Sequence, residues 1–178
     1  MTADMKKPAV LLIDDEEAIL AGISYVLEKN GYRVVTANGG EQGLEVFKKE
    51  NLQMVITDLV MDGIGGLEVL KQVKEIEPET MVVIMTGHGE MDSSIEALRL
   101  GASDYLLKPC KEEELLFRVT RCFEKLQMLN DAKKTNEKLK KSVIKHQELE
   151  KSLRASNKQL ELLSTLDGLT GIANRRTF

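Results

Sequence analysis

Residues 54–63 read Met54-Val55-Ile56-Thr57-Asp58-Leu59-Val60-Met61-Asp62-Gly63. An apolar run rich in β-branched residues ends on an acid, and a loop containing glycine follows. In an open α/β sheet, ligands sit outside the carboxyl ends of the strands. An acid at that place is held at the mouth of a site by a rigid strand. Asp58 is therefore the first candidate for chemistry.

Outward from this stretch, four more strand-like runs alternate with helical patterns. Residues 9–13 (Ala-Val-Leu-Leu-Ile) are continuously apolar, as expected for a strand covered on both faces. Asp14, Asp15, Glu16 and Glu17 follow, and then Ile19, Leu20, Ile23, Val26 and Leu27 recur at helical spacing until Asn30-Gly31. Tyr32–Ala37 reads as the second strand, and Gly39-Gly40 opens a helix containing Leu44, Val46 and Phe47. The strand ending at Asp58 is third. A helix is expected from about Gly66 to Ile76, closed by Pro78, and Met81–Met85 is the fourth strand. Ser94–Leu100 reads as helix up to Gly101, Asp104–Leu107 as a short fifth strand before Lys108-Pro109, and a fifth helix starts near Lys111. Parallel strands need crossovers, and crossovers are right-handed, so the pattern predicts an α/β doubly wound, flavodoxin-like sheet. The expected strand order of its five parallel strands is 2-1-3-4-5.

The fifth helix has no reason to stop. From Glu112 to Leu163 there is neither Pro nor Gly, and most residues are good helix formers. Leu139, His146, Leu153 and Leu160 recur every seven residues, which predicts a coiled-coil seam. The second rung is either Val143, Glu150, Asn157 and Ser164, or Ser142, Leu149, Ser156 and Leu163. Both put polar residues in the seam, so the coil is expected to be weak and its register open to change. A lone helix this long and polar would be poorly stabilised without a partner, and a homodimer is expected.

The 178 residues carry a net charge of −4, with 42% hydrophobic and 4% aromatic residues and no Trp. This suits one aliphatic core plus an appendage. The charge is divided. Residues 1–110 hold 10 Lys/Arg and 19 Asp/Glu, a net of −9, whereas residues 111–165 hold 13 and 9, a net of +4. An acidic globular part thus leads into a mildly basic helical one. No apolar run is long enough to span a bilayer, and the N-terminus lacks the apolar centre of a signal peptide. Cys110 and Cys122 form no Cys-x-x-Cys pair. Together these give the expectation of a cytoplasmic protein with no membrane partner. The linker lysines read as a solvated face rather than a nucleic-acid patch. Gly39-Gly40-Glu41-Gln42-Gly43 reads as a turn, since no Lys-Ser/Thr follows it, and His88 as a loop residue.

In the 2-1-3-4-5 order, strands one and three are neighbours, so Asp14, Asp15 and Asp58 converge at one edge. Crowded acids repel unless a cation joins them, and hard oxygen ligands with open positions suit Mg²⁺. Lys108, after strand five, can offset charge on a transferring phosphoryl group. Thr86, after strand four, adds a hydroxyl. Taken singly, these residues could be helix caps or turn residues. Capping does not explain acids after strands one and three together with Thr after four and Lys-Pro after five.

This arrangement resembles the receiver domain of response regulators over residues 8 to about 123. The matching residues are Asp14-Asp15 after Leu-Leu-Ile, Asp58 before Leu-Val-Met, Thr86-Gly87, Tyr105 and Lys108-Pro109. The resemblance implies a phosphoprotein of a two-component phosphorelay, in which Asp58 takes its phosphoryl group from a sensor histidine kinase. It implies Mg²⁺ bound by Asp15, Asp58 and the Val60 carbonyl, with Asp14 acting largely through water. It implies that Lys108 and Thr86 contact the phosphoryl oxygens, that Thr86 and Tyr105 form the switch, and that the bond before Pro109 is cis. Asp62 stands where the family usually has Pro, and altered loop rigidity with intact chemistry is expected.

The end of the chain carries a second resemblance. Asp167-Gly168-Leu169-Thr170-Gly171-Ile172-Ala173-Asn174-Arg175-Arg176 is similar to the opening of a GGDEF diguanylate cyclase domain, with Ile172 where Leu is common. The expected organisation is a receiver (residues 1–123), a coiled-coil signalling helix (124–165) and the disordered start of a truncated GGDEF domain (166–178). The catalytic loop of that domain is absent from this sequence, so the chain is not expected to be an enzyme beyond self-phosphorylation and dephosphorylation. GTP would be a ligand only of a full-length diguanylate cyclase parent making cyclic di-GMP. Phosphorylation would remodel the face of helix four, strand five and helix five, and with it the dimer packing. Two rival readings are the receiver of a DNA-binding regulator, which the basic helix allows, and a receiver fused to a histidine kinase with His146 as phosphosite. Against the latter, Gln147 follows where an acid is typical.

Overall fold

The computed structural model describes residues 7–87 and 96–165, with side chains as far as Glu161. His88 and the GGDEF-like stretch 166–178 lie outside the described residues. The described chain falls into two units, divided between Met128 and Leu129.

In the first unit, β1 (Ala9–Ile13), β2 (Arg33–Ala37), β3 (Met54–Asp58), β4 (Met81–Thr86) and β5 (Asp104–Leu107) form one sheet in the order β2-β1-β3-β4-β5. Every pairing is parallel. The connecting helices are α1 (Glu17–Lys29), α2 (Gly40–Lys49), α3 (Gly66–Ile76) and α4, of which residues 96–99 are described as helical. The helix α5 (Glu112–Thr165) follows β5. This is the expected flavodoxin-like architecture. Tyr32 precedes β2 rather than opening it, and Thr86 is the last residue of β4 rather than the first after it.

The period-two alternation of a strand divides the core into two layers. Leu11, Ile13 and Val55 face one side, where Leu44 and Phe47 of α2 and Val69, Leu70 and Val73 of α3 pack. Val10, Leu12, Met54 and Ile56 face the other, against Leu20, Ile23 and Leu27 of α1 and Leu115, Val119 and Cys122 of α5. All residues of β1, β3 and β4 are buried, which is why those strands read as unbroken apolar runs. Asn30 caps the end of α1, and Gly31 follows at φ 91°, a left-handed conformation that favours glycine.

From Glu124 onward α5 leaves most of its side chains exposed. In the second unit Leu139, Leu149, Leu153 and Leu160 are each more than 60% exposed. No helix among the described residues is long and apolar enough to cross a membrane.

Candidate functional site

The parallel ladder brings the candidate residues to one edge. Ile13 pairs with Thr57, Asp58 with Met85, and Thr86 with Leu107. The residues that end or follow these strands therefore share a level at the carboxyl edge. Backbone bonds hold that edge: Asp14 N–H donates to Ala37 O, Leu59 N–H to Met85 O and Lys108 N–H to Thr86 O.

Asp14, Asp15 and Asp58 each offer a carboxylate oxygen, and these oxygens lie within 4.8 Å of one another. Asp14 and Asp58 are buried and Asp15 is exposed. Lys108 Nζ lies 2.7 Å from Asp14 Oδ2 and 2.9 Å from Asp58 Oδ2. The other oxygens serve the local backbone: Asp14 Oδ1 accepts the Glu16 N–H at 2.9 Å, and Asp58 Oδ1 accepts the Leu59 N–H at 2.9 Å. The capping role and the charged cluster thus coexist in the same side chains.

Burial is the largest influence on Asp58 and raises its carboxyl pKa above 3.8, while the bond and charge of Lys108 pull it down and Asp14 pushes it up. Burial alone would lower Lys108, but its bonds to Asp14 and Asp58 outweigh this and raise it above 10.5. One ammonium against three carboxylates leaves the cluster short of positive charge. Lys108 Nζ lies close to Asp14 Oδ2, and no other donor among the described residues reaches that buried oxygen. Such a donor set fits a hard divalent cation.

The remaining predicted residues are placed as follows. Thr86 is buried at the end of β4, with its hydroxyl 3.4 Å from Gly87 O. Val60 is in the loop after Asp58, and its side chain is exposed, so only its backbone could serve the site. The Lys108–Pro109 peptide is cis. Tyr105 is half-buried in β5, with the Arg118 guanidinium 5.4 Å from its ring centre. Arg118 also bonds Asp104 at 2.6 Å and Glu114 at 3.2 Å. Sequence reading missed Arg118, although the four-residue spacing from Glu114 was a visible signal. Leu139, His146, Leu153 and Leu160 belong to the second unit.

Comparison with known proteins agrees with this geometry. The model of the response regulator receiver domain matches residues 10–120. The alginate biosynthesis transcriptional regulatory protein AlgB of Pseudomonas putida is 37% identical over 119 residues, which are 67% of this chain and 27% of that protein. The transcriptional regulatory protein GlrR of Escherichia coli is 31% identical over 139 residues, 78% of this chain and 30% of that one. The chain thus spans less than a third of the length of these curated relatives. Among solved structures, a response regulator receiver domain protein from Clostridium thermocellum superposes with a TM-score of 0.66 at 35% identity, covering 68% of this chain and 98% of that one. NtrX from Brucella abortus gives 0.69 at 27% identity, over 71% of this chain and 29% of NtrX. With the acidic edge, the paired lysine and the sheet order in agreement, the chain belongs to the response regulator receiver domain family.

Proposed function

We propose that Asp58 is the phosphoacceptor of this receiver and that a sensor histidine kinase supplies the phosphoryl group. The observation that carries the reading is the meeting of three carboxylates with Lys108 at one strand edge. An Asp58 oxygen attacks phosphorus, the bond from phosphorus to the donor's imidazole nitrogen breaks, and that nitrogen keeps the electron pair. Lys108 then has phosphoryl oxygens to pair with in place of the bare carboxylate. Thr86 closes on the same oxygens, and Tyr105 follows. Asp15, Asp58 and the Val60 carbonyl would hold Mg²⁺, with Asp14 reaching it through water. That ion would supply charge to offset the transferring group.

The change leaves the site through α5, the helix that begins just after Lys108-Pro109. We divide the chain into a receiver (1–123), a homodimeric coiled coil (124–165) and the start of an output segment (166–178). The heptad of exposed leucines supports the coil. The string from Asp167 to Arg176 favours a diguanylate cyclase as output, with GTP bound by that domain and cytoplasmic cyclic di-GMP as product. A second reading, control of transcription, is favoured by the names of AlgB and GlrR. Those proteins match over the receiver, so their names bear on this chain's output only by analogy.

The test is incubation with acetyl phosphate and Mg²⁺, followed by mass spectrometry. The natural chain should gain one phosphoryl group, labile to hydroxylamine, and Asp58→Ala should gain none. Equal incorporation by both chains would remove Asp58 from its role.

A further inference from the structure

The loop between β3 and α3, residues 59–65, carries the Val60 carbonyl; Leu59 and Met61 anchor it in the core, and Ile64 packs against the same cluster. Asp62 stands in place of proline, and Gly65 at the N-cap of α3 offers no side chain to cap that helix. The ends are secured by Leu59 N–H to Met85 O at 2.8 Å and by Gly66 N–H to Leu59 O at 3.0 Å. The part just before α3 is also held from outside. Glu41, in the first turn of α2, accepts the Ile64 N–H at 3.2 Å across 23 residues.

The surroundings are shaped to this contact. A Cβ placed on Gly40 would collide with the Ile64 carbonyl oxygen. A Cβ on Gly63 would lie 2.7 Å from Glu41 Oε1, and Gly63 has φ 78°. Gly40 thus lets the start of α2 approach the loop backbone, and Gly63 leaves room for the Glu41 carboxylate that joins them. An acid placed only to favour the helix dipole would need neither glycine nor the bond to Ile64.

We propose that Glu41 is a positioning residue for the cation and phosphoryl site. By holding the Ile64 N–H it fixes the loop that carries the Val60 carbonyl, and so sets how well that carbonyl serves Mg²⁺. This rests on the reading of Asp58, Asp15 and Val60 as the cation site. Groups outside the ligand shell commonly change metal affinity by about tenfold or more.

The test uses the full chain with Glu41→Ala and Glu41→Gln; the glutamine keeps an acceptor oxygen and removes the charge. Mg²⁺ affinity is measured calorimetrically well below the melting temperature, and hydrogen exchange at the Ile64 amide is followed in chelator. Glu41→Ala is expected to speed Ile64 exchange and weaken Mg²⁺ binding by about tenfold. Its phosphorylation by acetyl phosphate should approach the natural rate at saturating Mg²⁺, and Glu41→Gln should recover most of the affinity. Faster Ile64 exchange with unchanged Mg²⁺ affinity would overturn the positioning role. So would an affinity loss in Glu41→Ala that is matched in Glu41→Gln. If the natural chain itself bound no Mg²⁺, or bound it equally well with Asp15→Asn, the reading of the cation site would fail instead, independently of Glu41.

Discussion

Lys108 Nζ lies 2.9 Å from Asp58 Oδ2, so the proposed phosphoacceptor is already paired with a cation. The same ammonium also reaches Asp14 Oδ2 at 2.7 Å. Lys108→Ala leaves two buried carboxylates facing each other. Charged hydrogen bonds are worth about 1.5–3 kcal/mol, and a loss of about 2 kcal/mol at neutral pH is expected. The deficit should shrink at acid pH, where the raised Asp58 carboxyl takes a proton. Urea denaturation at both pH values measures it, and a variant as stable as the natural chain at neutral pH would contradict the pairing.

The two pKa shifts give pH effects of defined sign. Asp58 is raised above 3.8, chiefly by burial, so its ionisation costs stability in the fold. Relative to Asp58→Asn, the natural chain should gain stability as pH falls through the raised value toward 3.8. Lys108 is raised above 10.5. Its contribution should be complete below 10.5 and be lost as pH climbs through the folded value. Denaturation of the natural chain and Lys108→Met across alkaline pH should show their difference narrowing as pH rises above 10.5.

Mg²⁺ at ten times its dissociation constant should stabilise the natural chain by about 1.4 kcal/mol. For a domain of this size that is roughly 3–6 °C in Tm. Asp58→Ala and Asp15→Asn should lose most of the shift. A full shift in both would place the ion elsewhere.

Glycine substitutions should differ in sign. At Gly66 an added Cβ meets the Asp58 carbonyl, and at Gly40 the Ile64 carbonyl. Backbone cannot move aside cheaply, so Gly66→Ala and Gly40→Ala should each cost about 2 kcal/mol. Gly22, inside α1, has nothing within 4 Å of its added Cβ. Gly22→Ala should stabilise by about 0.5–1 kcal/mol. Thermal denaturation of the three variants tests the contrast.

The two seam registers differ in what they enclose. One would place Glu150 in the seam, and Glu150 bonds Arg154 at 2.7 Å in an exposed pair. The other uses Leu149 and Leu163 with Ser142 and Ser156. Glu150 is better left in water, so Leu149→Asp should dissociate the dimer and Val143→Asp should weaken it little. Leu139→Asp should dissociate it in either register. Sedimentation equilibrium distinguishes these cases, and a monomeric natural chain at micromolar concentration would remove the coil altogether.

Much of the fold was legible because its signals are local. Strand ends at Asp14, Asp58, Thr86 and Lys108 show as changes of composition within a few residues, and the Asn30-Gly31 stop is read from two. The site was legible as a set of residue types but not as a set of bonds. Asp14 divides its two oxygens between the Glu16 N–H and Lys108, and no spacing announces that. Arg118 over Tyr105 and Glu41 on the Ile64 N–H were missed for the same reason.

By itself the sequence determined the α/β alternation and the identity of the acids at the strand ends, and the 2-1-3-4-5 order was expected as the common one for five doubly wound strands. The first two follow from hydrophobic period and turn chemistry, which act over short lengths of chain. Only the tertiary structure decided that one lysine spans Asp14 and Asp58, that burial raises Asp58, and that α2 holds the loop after β3. Such effects depend on distances of about 3 Å between residues far apart in sequence, and on the water excluded between them. Packing alone sets both.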